Sequence, residues 1–317
     1  MRMYEGTSAG ARAIVGHVGR KGMRLALVDA GGRIAPGSTR FHEAATVTSI
    51  SGAISGFQRE LALPPGAIRS AFAVAGLVRG DAISVTRTRW FLSRSGLAAM
   101  LGHPPIILND FEAEAWALAA RDGAGALATT HCVAGATSGL GVAILRRDPA
   151  RGITVIATEG GHAAFTPPDA ELAAIVAALF PGRLSVGAEE LISASGLVEV
   201  YTHLARTQGT APRFTSPEAI TAGADRDTVA EAACETIAAA FAAHLGNLVL
   251  CHGAWDGVIV AGGLGAALAP MFRRPRVTAA FAGTGRHARS IAQVPIRFDT
   301  VPQGELLGAA EALKAAA

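Results

Sequence analysis

"PPIILNDFEAEAWAL", Pro104–Leu118, changes character halfway along. Ile106, Ile107 and Leu108 form a continuous apolar run of β-formers behind two prolines, which predicts a strand buried on both faces. Phe111, Ala115 and Leu118 then recur at helical spacing while Glu112 and Glu114 take the other side, which predicts a helix entered directly from that strand. Asn109 or Asp110 therefore stands at the helix N-terminus, where a carboxylate stays ionised at neutral pH. In open α/β sheets ligands bind just beyond the carboxyl ends of the strands. Asp110 is thus a candidate reactive carboxylate, and the alternative is that it only caps the helix.

Upstream, Ala13–Val18 and Arg24–Asp29 are β-type runs joined by "GRKG", the pattern of a hairpin. A third strand is expected near Arg33–Phe41, a helix over Val47–Leu61 stopped by "LPPG", strands at Ser70–Ala75 and Ala82–Thr86, and a short helix within Ser93–Leu101. Downstream the pattern repeats, with strands at Cys132–Ala134, Gly141–Leu145 and Thr154–Ala157. "GATSGLG", Gly135–Gly141, takes the place in the second half that "GHVGRKG", Gly16–Gly22, has in the first. Such glycine turns either present backbone N–H groups to phosphate or are ordinary hairpin turns. Helices are then expected at Glu171–Phe180, Glu189–Thr207 and Thr228–Leu250, the last Ala-rich enough to be central. The strand Gly257–Ala261 ends in a glycine turn that opens a helix start where a nucleotide could dock. A strand in "VPIRFDT" and a helix over Glu305–Ala316 close the chain.

A length of 317 residues exceeds one ordinary core and predicts two domains, with a cleft between them as the default site. The first is expected over residues 1–110, with a C-terminal helix, 304–317, packing back on it, and the second over residues 111–303. The net charge is only +3 and the basic residues are scattered, so neither nucleic acid nor an anionic membrane is an expected partner. Cys132, Cys234 and Cys251 are odd in number and without a CxxC pair, which argues against a disulfide framework and a zinc site and for a cytoplasmic protein. "MRMYEGTSAG" reads as a short tail rather than a signal peptide, and no uninterrupted run of about 18 apolar residues is present to span a membrane. The absence of GxxxxGK[ST], GxGxxG, HExxH and GxSxG removes the sequence support for P-loop, Rossmann, zincin and hydrolase readings.

Six motifs in order, "IILNDFEAEAWAL", "GATSGLGVA", "TEGGHAAFTP", "SVGAEELISASGLVEVY", "LGNLVLCHGAWDGVIVAGGL" and "TAAF" followed by "VPIRF", resemble the bacterial glucokinase family of the sugar kinase, Hsp70 and actin superfamily. The related ROK kinases share an EGGH-like element but usually carry a cysteine-rich zinc motif, which this chain lacks. The resemblance implies a two-lobed α/β fold of the actin-like ATPase (ribonuclease H-like) type, with a duplicated βββαβαβα core and an interlobe cleft. It implies ATP-dependent phosphorylation of a hexose, glucose first, with Mg2+ as cofactor, and a homodimer is expected. By motif position, Asp110 is the general base, and Asn109, Glu159, His162 and Glu189 bind sugar hydroxyls. Gly135, Thr137, Ser138 and Gly139 correspond to the second phosphate loop, with Thr137 in place of a glycine, Gly262 and Gly263 to the adenosine turn, and Gly19 to the first phosphate loop.

That first loop departs from the family pattern Asp-x-Gly-Gly-Thr-Asn-x-Arg. This chain has His17-Val18-Gly19-Arg20-Lys21-Gly22-Met23-Arg24, so only Gly19 and Arg24 match. An aspartate that helps hold hydrated metal and a threonine that binds phosphate are replaced. Loss of an anion and gain of two cations favour a bare polyphosphate over a Mg2+-chelated one. Arg87 also stands where the family usually has an asparagine near the sugar. Two readings follow: a hexose kinase, or a homologue that binds sugar as a sensor or interaction protein.

Overall fold

The structure, a computed structural model, describes residues 13–63, 68–123 and 125–316. The N-terminal tail and most of the "LPPG" stop lie outside these residues. The chain divides into two units, one running up to Gly125 and resuming at Val301, the other Ala126–Thr300.

The first unit contains β1 (Ala13–Gly19), β2 (Gly22–Val28), β3 (Arg40–Glu43), α1 (Ile50–Glu60), β4 (Arg69–Val74), β5 (Ala82–Ser84), β6 (Phe91–Ser93), α2 (Arg94–Leu101), β7 (Ile106–Asn109) and α3 (Asp110–Asp122). Five strands form a sheet in the order β3-β2-β1-β4-β7. β1 is antiparallel to β2 and parallel to β4, which is parallel to β7. The carboxyl ends of β1, β4 and β7 therefore share one edge, the edge that carries Asn109. Alternation sorts the strands' side chains between layers: Ile14, Val18, Leu25 and Phe72 pack with Ile54 and Phe57 of α1, while Ala13, Val15, Ala26 and Ala73 face the other side. The third strand is shorter and later than the sequence suggests. An isolated bridge joins Ile34 to Val28, but Pro36 has no N–H to extend the ladder, and a turn in which Ser38 N donates to Ala35 O interrupts pairing until Arg40. β5 pairs only with β6, as a separate ribbon.

The second unit contains β8 (Thr129–Ala136), β9 (Leu140–Asp148), β10 (Gly152–Thr158), α4 (Ala170–Leu179), α5 (Ala188–Leu191), α6 (Ala194–Thr207), α7 (Pro217–Gly223), α8 (Thr228–His252), β11 (Gly257–Ala261), α9 (Gly263–Leu268), α10 (Pro275–Ala282), α11 (Ala288–Ile291) and β12 (Ile296–Phe298). Its sheet, β10-β9-β8-β11-β12, repeats the first: an antiparallel meander of three strands followed by two parallel additions. The single helix expected over 189–207 is two, because Ser193 breaks the run and caps α6 by accepting from Gly196 N. α8 is the core helix, with Ala238, Ala239, Ala240, Phe241 and Ala242 fully buried. By length and composition alone it is apolar enough to cross a membrane, but His244 and Asn247 interrupt its apolar run as expected and 78% of its most apolar window is buried, as in a core helix.

The chain then returns to the first unit as α12 (Gly304–Ala315). α12 lies so close to α3 that a Cβ at Gly308 would stand 1.7 Å from Ala113 O. Buried Glu114 accepts from Val301 N at 3.3 Å, tying α3 to the segment that leads into α12. This contact is why the expected domain boundary at residue 111 falls instead after Gly125: α3 packs with the first unit, not with the second.

Candidate functional site

At the end of β7 the sequence Asn109-Asp110 divides two tasks. Asn109 is the N-cap of α3: its Oδ1 accepts from Phe111 N at 2.8 Å and from Glu112 N at 3.4 Å. Glu112 returns the bond by accepting from Asn109 N, completing a capping box. Burial raises the pKa of Glu112, an effect partly offset by that bond. Asn109 Nδ2 also donates to Gly76 O at 3.2 Å, which fixes the amide and leaves its second N–H for another acceptor. Asp110 is the first helical residue, half-buried, with Oδ1 accepting from its neighbour Phe111 N at 3.0 Å. The capping role that Asp110 could have had is therefore filled by Asn109.

On the same edge, β1 and β2 close through Gly19 and Gly22 around a two-residue tip, Arg20 and Lys21, both exposed. His17 pairs across the hairpin with Arg24 and shares the face of Ala13 and Val15, the face that α12 covers. Its Nδ1 stands 4.0 Å from Glu305 Oε1 in the first turn of α12. Burial holds the His17 pKa below its usual value, opposed by Glu305 and reinforced by Arg24. Arg87 occupies a left-handed turn at φ 59°. Asparagine tolerates that conformation better than arginine does, so an asparagine here has a backbone reason as well as a chemical one.

In the second unit, β8 and β9 close around a three-residue tip, Thr137, Ser138 and Gly139, above the Gly135–Gly141 pair. Thr137 N donates to Gly139 O, and Thr137 O accepts from Ala194 N at the start of α6 at 2.9 Å. Gly262, at φ +81°, lies against the root of this tip, where a Cβ would stand 2.6 Å from Ala136 O. Gly263 begins α9 beside it, with open space where its side chain would be. The two glycine turns expected to handle nucleotide are thus neighbours.

Glu189 reaches the same tip. Its Oε2 accepts from Leu140 N at 3.0 Å and would lie 2.6 Å from a Cβ on Gly139. Leu140 O is in turn covered by the "EGGH" turn, where a Cβ on Gly161 would sit 1.8 Å from it. That turn is a single 3-10 segment, Gly160–His162, which brings His162 Nε2 to 3.7 Å from Glu159 Oε2. Both side chains are well exposed, at 63% and 44%. Gly160 is pinned from below: its O meets His244 Nε2 at 3.0 Å and its N donates to Thr158 Oγ1. Ala188 N donates to Ala163 O, stitching the turn to the start of α5. Glu159 and His162 thus form one cluster, and Glu189 joins it through the backbone of Leu140. Next to Glu189, a two-bond ion pair with Arg183 holds the Glu190 carboxyl down at about 2.

His244 was not among the residues expected to matter. The signal was present, because a histidine inside an Ala-rich buried helix must find a polar partner, and that partner is the carbonyl that shapes the "EGGH" turn. Among the described residues no group of three or more His, Cys, Asp or Glu side chains could hold a metal ion.

Two copies of one meander-plus-parallel sheet, each with a glycine hairpin beside its parallel strands, define the actin-like ATPase fold. Solved structures share it. A glucokinase from Balamuthia mandrillaris in complex with glucose superposes with a TM-score of 0.77 at 19% identity, covering 98% of this chain and 95% of its own. A ROK family glucokinase from Streptomyces griseus in complex with glucose and AMPPNP gives 0.63 at 19% identity, covering 96% and 99%. In sequence, the glucokinase of Stenotrophomonas maltophilia (strain K279a) is 34% identical over 262 residues, 77% of each chain. The family described as Glucokinase matches residues 14–316, and the chain belongs to that family of hexose kinases.

Proposed function

We propose that the protein transfers the γ-phosphoryl group of ATP to the 6-hydroxyl of glucose, with Asp110 as the general base. The observation that supports this reading is the placement of Asp110, the first residue of α3 directly beyond the carboxyl end of β7, with the N-cap bonds made by Asn109 beside it. In the reaction the hydroxyl proton passes to Asp110, a bond forms from the sugar oxygen to the γ-phosphorus, and the bond from that phosphorus to the β-phosphate oxygen breaks to release ADP. Asn109, Glu159, His162 and Glu189 hold the sugar. Carboxylates accept from hydroxyls, and a site built to do so rejects analogues that lack them. Gly19, Gly135, Thr137, Ser138 and Gly139 serve the phosphates, and Gly262 and Gly263 the adenosine. Mg2+ would be held mainly by the phosphate oxygens of the nucleotide and by water, as Mg2+ usually is at phosphate sites. When bound it neutralises charge on the β- and γ-phosphates. Glucose comes first among hexoses because the relatives that match over most of this chain are glucokinases.

Asp110→Asn tests the assignment. Turnover should fall by roughly two to four orders of magnitude, while glucose binding by calorimetry and the melting temperature are retained, because Asn109 still caps α3. Equal turnover in parent and variant would refute it.

A further inference from the structure

We propose that His244 is a positioning residue for the sugar: it fixes the central peptide of the Glu159–His162 turn and, through it, the two side chains that the turn presents. The inference rests on the sugar-binding role given to that turn above. Glu159-Gly160-Gly161-His162 closes on itself, with His162 N donating to Glu159 O at 2.9 Å. Neither glycine has a positive φ. Rotating the peptide between them would convert the turn to type II, which keeps the end-to-end bond but reverses the Gly160 carbonyl. Type II asks for a positive φ at the third residue, here Gly161, and glycine accepts that without steric cost. Two forms of the turn are therefore open to this sequence, and what selects one of them has to come from outside it. The choice matters, because the flip exchanges an N–H for a carbonyl on the outer side of the turn.

His244 makes the selection. It is 3% exposed within α8, and its neighbours Ala240, Phe241 and Leu245 are fully buried. Its Nε2 lies 3.0 Å from Gly160 O. A carbonyl only accepts, so Nε2 carries the proton and donates. The carbonyl does not need the histidine to be satisfied, since Gly160 O also accepts from Ala163 N at 3.2 Å. Burying an imidazole where Leu or Phe would pack is costly, and what the ring adds in return is direction, because it holds the carbonyl toward α8. The other end of Gly160 is held as well: its N donates to Thr158 Oγ1, which donates to Val142 O at 3.0 Å. The ends of the turn, Glu159 and His162, are thereby kept with His162 Nε2 3.7 Å from Glu159 Oε2.

The test compares His244→Leu, which cannot donate, with His244→Gln, whose amide N–H reaches the same carbonyl, using the full chain and calorimetry with glucose and with ADP. His244→Leu should weaken glucose binding about fivefold or more, the loss expected when the bond that selects the competent conformer is removed. ADP affinity and melting temperature should stay near the parent's, because Ala163 N still satisfies Gly160 O. His244→Gln should bind glucose within about twofold of the parent. In turnover the loss in His244→Leu should appear in KM for glucose and not in kcat. Should His244→Leu fail to fold, His244→Met, equally unable to donate, takes its place. An unchanged glucose affinity in the non-donating variant overturns the proposal. So does an equal loss in both variants, or a joint loss of glucose and ADP binding, either of which would make His244 a merely structural residue. A parent that binds no glucose removes the sugar reading of the turn and this inference with it, whereas equal binding by parent and His244→Leu removes this inference alone.

Discussion

The β1–β2 turn of the first sheet has a two-residue tip, Arg20 and Lys21, that is cationic and exposed; the β8–β9 turn of the second has a three-residue tip without charge. The second tip is held by Ala194 N on Thr137 O, by Glu189 on Leu140 N and by Gly262 against its root. Of the first hairpin's partners, Glu305 meets it at His17, below the tip. The sheets are duplicates, so the difference comes from what each hairpin is tied to. The second cannot change without disturbing the Glu159–His162 turn, which rests on the same Leu140. The first tip is tied by a backbone bond, Ala44 N to Lys21 O at 3.0 Å, which a change of side chain at the tip leaves in place.

Breaking the second hairpin should have the largest effect. Gly161→Ala places a methyl 1.8 Å from Leu140 O, a backbone atom that cannot step aside. It should lower stability by about 3 kcal/mol and abolish glucose binding, read by thermal melting and calorimetry. Gly139→Ala is milder, because the atom 2.6 Å away belongs to the Glu189 carboxylate, which can swing off. Loss of the bond to Leu140 should lower stability by about 1.5 kcal/mol and weaken glucose and ADP binding together. Lys21→Ala in the first hairpin is the contrast. It should change stability by less than about 0.5 kcal/mol and leave glucose affinity alone. If Lys21→Ala weakens glucose binding as much as Gly139→Ala does, the two hairpins are not differently tied.

The smallest effect concerns the support under the "EGGH" turn. Burial keeps the His244 pKa below its usual value, and the bond to Gly160 O opposes that only in part. The unfolded chain therefore binds this proton more readily than the folded one. Stability from His244 is complete above about pH 6.5 and declines as the pH falls below it toward the folded-state pKa. Between pH 7.5 and 5.5 the parent should lose more melting temperature than His244→Gln. Parallel curves would show that the ring is not the titrating support.

The fold could be read from the sequence where periodicity was strong. The strand into α3, both glycine hairpins, β11 and the buried α8 follow from apolar runs and turn residues. The boundary after Gly125 could not be read, because it depends on how closely α12 fits α3, a contact between segments nearly two hundred residues apart. In the site, Asp110 and Asn109 could be found but not told apart, since either can cap a helix and only the observed bonds decide. The bond from Glu189 to Leu140 and the approach of Glu305 to His17 have no local signature at all. Each is made by tertiary packing between motifs that look independent along the chain.

Glucose-dependent formation of ADP from ATP, followed in a coupled assay while Mg2+ is titrated, tests the central claim most directly. The account predicts glucose-dependent ADP formation, because Asp110 is proposed as the general base at the carboxyl end of β7. Glucose binding without ADP formation at any Mg2+ concentration would contradict it and leave the protein a sugar-binding homologue.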